Sequence, residues 1–433
     1  MRSRTVAFDL EAELAAADPE VAGLLEREVE RNRSTLNLIA SESYCPRATI
    51  EAEASILVTK NATGYPGSRE VAGCEVFDEV EALAIERAKR LFGAEHANVQ
   101  SVAATLANIA VLRALLKPGD RILALDETAG GHHSHGASYH LSGQDYETTH
   151  FGVSEEAGGI DLAAVRALAE RVRPRIMMVG STAYPRALPF AQLSAIAREV
   201  DAYFFADIAH VVGLVVAGLH ENPTPASDVV TTSTHKTFCG PRTGGLVLCK
   251  RQHGKAIDDA IFPAMQGAPG AHIIAGRAVL FGLAASGSFR ALMRSVVRNA
   301  TVLADSVEEA GLTLYLGGTD THMVILDLRD RDIDGRAAER RLERHGLIAN
   351  RVTLPEKRRG RSRVGIRLGS TAMTTRGMGD DGFRAVGGLI ADVLRGEGGH
   401  DPALQRRCLE LASAHPIPAA FGGFDKMRKR SER

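Results

Sequence analysis

The run at residues 202–206, apolar and aromatic without alternation and ending abruptly in Asp207-Ile208-Ala209-His210, constrains this chain more than any other feature. A short unbroken run of this kind fits a strand covered on both faces, the situation of parallel sheets flanked by helices. A polar tip on such a strand lies at the sheet's carboxyl edge, where open α/β sheets gather their ligands. A second run, 229–232, leads into Thr231-Thr232-Ser233-Thr234-His235-Lys236-Thr237. A lone lysine is most often a surface charge, but one among hydroxyl groups just beyond a strand can form a Schiff base with an aldehyde cofactor. Pyridoxal phosphate is the cofactor to which Asp207 adds support, because a buried aspartate holds the proton on its ring nitrogen and so keeps it an electron sink.

Strand and helix patterns alternate around these two runs. Helical spacing at 79–92, 106–116 and 273–284, and strand-like stretches at 97–100, 121–125 and 175–179, predict a doubly wound, mostly parallel sheet. Residues 18–33 carry leucines and glutamates at helical spacing, and a long helix at 292–310 precedes mixed strands and helices. The expected organisation is a helical arm at 1–35, an α/β cofactor-binding large domain at 36–285, and a smaller α+β domain at 286–433. With 433 residues, 45% of them hydrophobic, the chain can bury such a core. A formal net charge of −1 argues against nucleic acid as a partner. Five scattered cysteines without a CxxC pair fit a reducing compartment. No apolar run reaches the roughly 18 residues of a membrane span, and the N-terminus lacks a long apolar core, so a soluble, cytoplasmic protein is expected.

The order of short motifs is more specific than any one of them. Asn37-Leu38-Ile39-Ala40-Ser41-Glu42, Gly64-Tyr65-Pro66-Gly67, Gly73-Cys74-Glu75, Leu91-Phe92-Gly93-Ala94-Glu95-His96-Ala97-Asn98-Val99-Gln100, Gly130-Gly131-His132 and Gly365-Ile366-Arg367-Leu368-Gly369 follow one another through almost the whole chain. In this the chain resembles the serine hydroxymethyltransferase family, pyridoxal-phosphate enzymes of the aspartate-aminotransferase-like fold (fold type I). The resemblance implies that Lys236 is the Schiff-base lysine and Asp207 the partner of the ring nitrogen. It implies that His132 stacks on the ring and that His210 approaches the phenolic oxygen beside Thr182, which stands where the family has serine. Arg367 would clamp the substrate carboxylate, a task suited to the two parallel N–H groups of guanidinium, with Ser41 and Arg242 in support. Thr105, Ser233 and His235 would bind the phosphate, with Gly267 of a second subunit completing the cradle. An obligate homodimer, or a dimer of dimers, with shared active sites is therefore expected.

Departures from the family pattern direct the functional reading. Where the family has Ser-Gly-Ser at the phosphate, this chain has Ala103-Ala104-Thr105, losing a hydroxyl and the backbone freedom of glycine. The family's acid/base glutamate is replaced by Thr63, and two tyrosines by Asn61 and Val71. Threonine cannot exchange protons near neutral pH as a tuned carboxyl group does. Glu127 and His133 stand where leucines sandwich the folate, and Val352 where an asparagine reads the pterin edge. The favoured reading is thus a folate-independent aldolase or transaldolase, cleaving a β-hydroxy-α-amino acid to a glycyl quinonoid and passing the glycyl unit to an aldehyde acceptor, as L-threonine transaldolases do. The alternatives are a tetrahydrofolate-dependent serine hydroxymethyltransferase and a catalytically impaired paralogue acting as a binding or regulatory subunit. Gly131-His132-His133-Ser134-His135 could be read as a metal cluster, but no carboxylate or cysteine stands at useful spacing and no metal is expected. Five basic residues between Lys357 and Arg363 form either a solvated loop or an attractor for an anionic acceptor.

Overall fold

The computed structural model describes residues 12–242, 244–331, 333–356, 364–396 and 399–421, so Thr243 and the basic run from Lys357 to Arg363 lie outside the described residues. Seven strands form the main sheet: β1 (His96–Asn98), β2 (Arg121–Leu125), β3 (Glu147–Phe151), β4 (Ile176–Gly180), β5 (Tyr203–Asp207), β6 (Val229–Ser233) and β7 (Gly245–Cys249). Their order is β1-β7-β6-β5-β4-β2-β3. The strands from β6 to β3 run parallel, whereas β7 is antiparallel to both β6 and β1.

Strand alternation sorts the side chains onto two covered faces. Leu123, Leu125, Met177, Val179, Phe204 and Ala206 enter one core, while Ile122, Ala124, Ile176, Met178 and Phe205 enter the other. The first core is closed by helices Glu75–Phe92, Phe190–Glu199 and Ala271–Ala284, the second by Ala104–Leu115 and Arg251–Ile261. Both faces being buried is why the central strands read as unbroken apolar runs. Helix Ala104–Leu115 starts two residues before the periodicity at 106 because the chain turns helical directly after Ala103, whose backbone is extended.

A second, four-stranded antiparallel sheet lies in the C-terminal half: β8 (Thr313–Leu314), β9 (Met323–Asp327), β10 (Asn350–Thr353) and β11 (Val364–Gly369), in the order β8-β9-β11-β10. Leu36 and Leu38 are buried in the same core as this sheet, and Leu36–Asn37 pairs in parallel with Leu347–Ile348. The long helix Gly287–Glu309, capped by the Ser286 hydroxyl accepting from the Phe289 N–H, joins the two cores. Phe289, Met293 and Val296 pack toward the main sheet, and Ala300, Leu303 and Val307 toward the smaller one. The N-terminal helix Pro19–Ser34 is capped by Asp18. Among the described residues no single helix is long and apolar enough to cross a membrane.

Candidate functional site

The carboxyl ends of β4, β5 and β6 converge on a cavity of about 360 Å³ that exposes Ser41, Thr105, His132, Thr182, Asp207, His210, Ser233, His235, Lys236, Arg242 and Arg367. Every site residue expected from the sequence lies here except Gly267, which is exposed and lines no part of the cavity within one chain.

Asp207 ends β5, fully enclosed. Its carboxylate accepts from Asn108 Nδ2 at 2.8 Å, from His135 Nε2 at 3.1 Å and from the Ala209 N–H at 2.9 Å. Burial alone would raise its pKa, but the His135 hydrogen bond and the charges of His135, His132 and Lys236 outweigh it and hold the carboxyl well below its usual range. The result is a buried anion at the cavity floor. His135 and Asn108 were not marked by sequence reasoning. His135 sits in the motif read there as a possible metal cluster, and its role as an aspartate partner follows only from the short turn His133–His135, which folds it under His132.

Lys236 opens a three-residue helical turn directly after β6, with a left-handed backbone (φ 60°). The loop is anchored by the Thr237 hydroxyl, which donates to the His210 carbonyl at 2.8 Å and accepts from the Gly213 N–H at 3.0 Å. Only glycine fits at 213, since a Cβ would stand 2.3 Å from the Thr237 carbonyl oxygen. Burial lowers the Lys236 pKa to about 8, with Asp207 opposing and Arg367 and Arg242 reinforcing the shift. An amine that titrates so near neutrality can serve both as nucleophile and as proton carrier.

Helix Ala104–Leu115 points its N-terminus into the cavity with no side-chain cap, leaving first-turn N–H groups for an anion. Two further groups beside it, Ser233 Oγ and His235 Nδ1, are buried without a hydrogen-bond partner among the described residues. Such groups need a ligand, and a phosphate supplies acceptors for all of them. The loss of glycine at 104 is not a backbone penalty: Ala104 begins the helix in ordinary helical conformation and is absent from the positive-φ positions. The turn is held from below by Arg277, a fully buried arginine missed in the sequence, which donates to the carbonyls of Val99 and Ser101. Gly245 permits this packing, because a Cβ there would meet the Ala103 carbonyl oxygen at 2.5 Å.

Arg367 lies on β11, buried, and burial lowers its pKa to about 10, so it remains a cation. It donates to the carbonyl and, at 3.1 Å, to the hydroxyl of Thr182, and through Nε to Asn350 Oδ1 at 3.2 Å. Among the described residues no carboxylate is paired with it, which leaves a buried guanidinium suited to an incoming one. Exposed Arg242 stands at the rim. His132 lines the wall with its pKa lowered to about 3 by burial, and the neutral ring bonds Ser134 Oγ at 2.7 Å through Nδ1.

A second cavity, of about 410 Å³, shares Thr182 and Arg367 with the first and is walled by Glu127, Asn350 and Val352. Two expectations change here. His133 is not on this wall; its ring packs on that of His132, centroids 3.9 Å apart. Nor is the wall without an amide, because Asn350, two residues before Val352, faces it. Glu127 does stand on the wall, both carboxylate oxygens receiving the Tyr139 hydroxyl at 2.8 and 2.9 Å. Asn61, Thr63 and Val71 line neither cavity within one chain; the Thr63 hydroxyl donates to Asn61 Oδ1 at 2.9 Å.

Comparison with known proteins points one way. A family model described as serine hydroxymethyltransferase matches residues 14–390. The chain is 44% identical to a serine hydroxymethyltransferase of Myxococcus xanthus, with 94% of this chain and 98% of the relative covered. It is 45% identical to the enzymes so named from a Nostoc species, covering 88% of this chain and 90% of the relative, and from a Synechococcus species, covering 94% and 98%.

Proposed function

Because the chain belongs to the serine hydroxymethyltransferase family, whose enzymes use pyridoxal phosphate, we propose that it interconverts L-serine and glycine by cleaving and forming the Cα–Cβ bond, with tetrahydrofolate taking up the one-carbon unit. The observation that carries this reading is the single cavity that unites Lys236, the buried anion Asp207, and the unpaired cation Arg367. Names of relatives at 44–45% identity support the folate-dependent form.

When bound, pyridoxal phosphate supplies the electron sink that stabilises negative charge at the substrate's Cα. Lys236 would hold the cofactor through its aldehyde carbon, and its amine, with a pKa lowered by burial to about 8, could hold or move a proton near the substrate's Cα. Asp207, its carboxyl held well below the usual range, would keep a proton at the ring nitrogen. Arg367 and Ser41 hold the amino acid by its carboxylate and so decide which Cα bond stands ready to break. The uncapped helix at Ala104, with Thr105, Ser233 and His235, would hold the phosphate. In a homodimer, Gly267 of the partner completes that end.

A second reading, a folate-independent aldolase or transaldolase, is favoured by one observation: the Glu127 carboxylate on the wall of the adjacent cavity, where an apolar contact with a flat aromatic ligand is needed. Thr63 in place of an acid/base glutamate points the same way. One experiment separates them. The enzyme is given L-serine or L-threonine, with and without tetrahydrofolate, and glycine and aldehyde release are followed. Serine cleavage that saturates with tetrahydrofolate supports the first reading. Turnover of threonine or another β-hydroxy amino acid that ignores tetrahydrofolate replaces it with the second.

A further inference from the structure

His322, at the start of β9 and with no exposed surface, touches neither cavity, yet three contacts connect it to the site. Its Nε2 lies 3.1 Å from the Ala40 carbonyl oxygen and 3.5 Å from His210 Nδ1, and the two imidazoles lie nearly parallel, 21° apart with centroids 5.6 Å from one another. His210 Nε2 in turn lies 3.3 Å from Thr182 Oγ1, which also accepts from Arg367 at 3.1 Å. His322 Nδ1 is buried without a partner.

These contacts admit one arrangement of protons. A carbonyl oxygen only accepts, so the proton of His322 sits on Nε2, and Nδ1 carries the bare lone pair. His210 Nδ1 faces that shared N–H and must therefore be an acceptor, which leaves its own proton on Nε2. That N–H, together with the Arg367 guanidinium, fills the lone pairs of Thr182 Oγ1, and the threonine's own hydrogen is left to donate into the cavity. Burial keeps both rings neutral, His322 with a pKa of about 3 and His210 well below the usual value, so neither acquires a second proton at working pH.

We infer that His322 is a positioning residue, which fixes His210 in the Nε2–H tautomer and through it orients the Thr182 hydroxyl toward the ligand. The consequence for catalysis rests on the proposed function of this cavity, but the tautomer does not, and the test separates them.

In the full-length holoenzyme, nitrogen-15 resonances of the His210 ring, assigned by their loss in His210→Gln, report which nitrogen carries the proton. The expected result is a neutral ring protonated at Nε2; a ring protonated at Nδ1, or at both nitrogens, overturns the inference. His322→Phe keeps a ring but no donor, and the His210 signal should move toward a mixture of tautomers. His322→Gln restores an N–H near the position of Nε2 and should return it to the wild-type state. If His322→Phe does not fold, His322→Asn gives the same test, being too short to reach the imidazole. An unchanged His210 signal in the donor-less variant shows that something else sets the tautomer. Turnover should fall roughly 10- to 100-fold in that variant, by analogy with the loss of a group that orients a metal-bound imidazole, with the amino-acid KM little changed and recovery in His322→Gln. A KM rise with constant kcat would instead mark a merely structural disturbance of Arg367.

Discussion

The cavity at the strand tips and the wall beside it are built on different physical terms. At the strand tips the central polar groups are buried and tied to one another: Asp207 alone has three donors, from a helix, a turn and its own loop. Removing one member there leaves a polar group stranded in a medium where that is expensive, about 1–3 kcal/mol for a neutral group and more for a charge. The outer wall is held otherwise. Glu127 and Tyr139 are both exposed and, among the described residues, their side chains bond one another, so either can change with little consequence for the fold. The cavity at the strand tips is thus locked by mutual dependence, while the wall beside it is free to drift.

The comparison can be broken most decisively at the lysine. Lys236→Ala should lose the covalent link to the cofactor and reduce turnover by ~10⁴-fold or more, as removal of a nucleophile does elsewhere. Borohydride reduction followed by mass analysis reads the link directly, and an adduct retained in the variant would place the attachment on another residue. Next in size is Arg367→Lys, which keeps charge but loses the paired N–H geometry. Amino-acid affinity should fall about 10- to 100-fold, the equivalent of a charged hydrogen bond, in spectroscopic titrations with glycine or L-serine. Equal affinities would mean that the carboxylate binds elsewhere.

A third test uses acidity. The pKa values of His210 and His322 are depressed in the folded chain, so below the ordinary histidine value the unfolded chain binds protons that the native one refuses. The stability they represent is whole above about pH 6.5 and drains away as pH falls below it, for His322 down to about 3, by up to about 1.4 kcal/mol per pH unit for each ring. Denaturant midpoints for His322→Gln should therefore decline less steeply than wild type between pH 6.5 and 5. Parallel slopes would show that the ring is protonated in the native state. The smallest effect is expected on the outer wall: Glu127→Leu should lower the tetrahydrofolate KM a few-fold and leave L-serine binding and thermal stability unaltered, since about one poorly matched contact is removed. A loss of folding stability in that variant would erase the contrast between the two regions.

How much of this was legible in the sequence follows the same division. Asp207 and Lys236 could be read because a parallel strand buried on both faces leaves a distinctive apolar run, and a charged group at the end of such a run belongs to the ligand-binding edge of the sheet. Strand β3, with the sequence Glu147-Thr148-Thr149-His150-Phe151, sits at the sheet edge, half exposed, and gives no such run. Arg277, Asn108 and His322 went unread for a different reason: each is a buried polar residue reaching the site from a distant part of the chain, and nothing local separates it from a surface residue of the same type. Asn350 and Val352 illustrate a finer limit. They lie on one strand, two residues apart and so on the same face, and counting back from Arg367 along the sequence does not tell which of them meets the ligand.

The left-handed backbone of Lys236 sets function against stability at one position. A side chain in that conformation costs about 1–2 kcal/mol, a cost that glycine escapes. Lys236→Gly removes this strain but also takes a cation from beside the buried Asp207 carboxylate, so its melting temperature, compared with the wild type without cofactor, reads the balance of the two. The position that carries the amine is therefore also the position that carries the backbone strain.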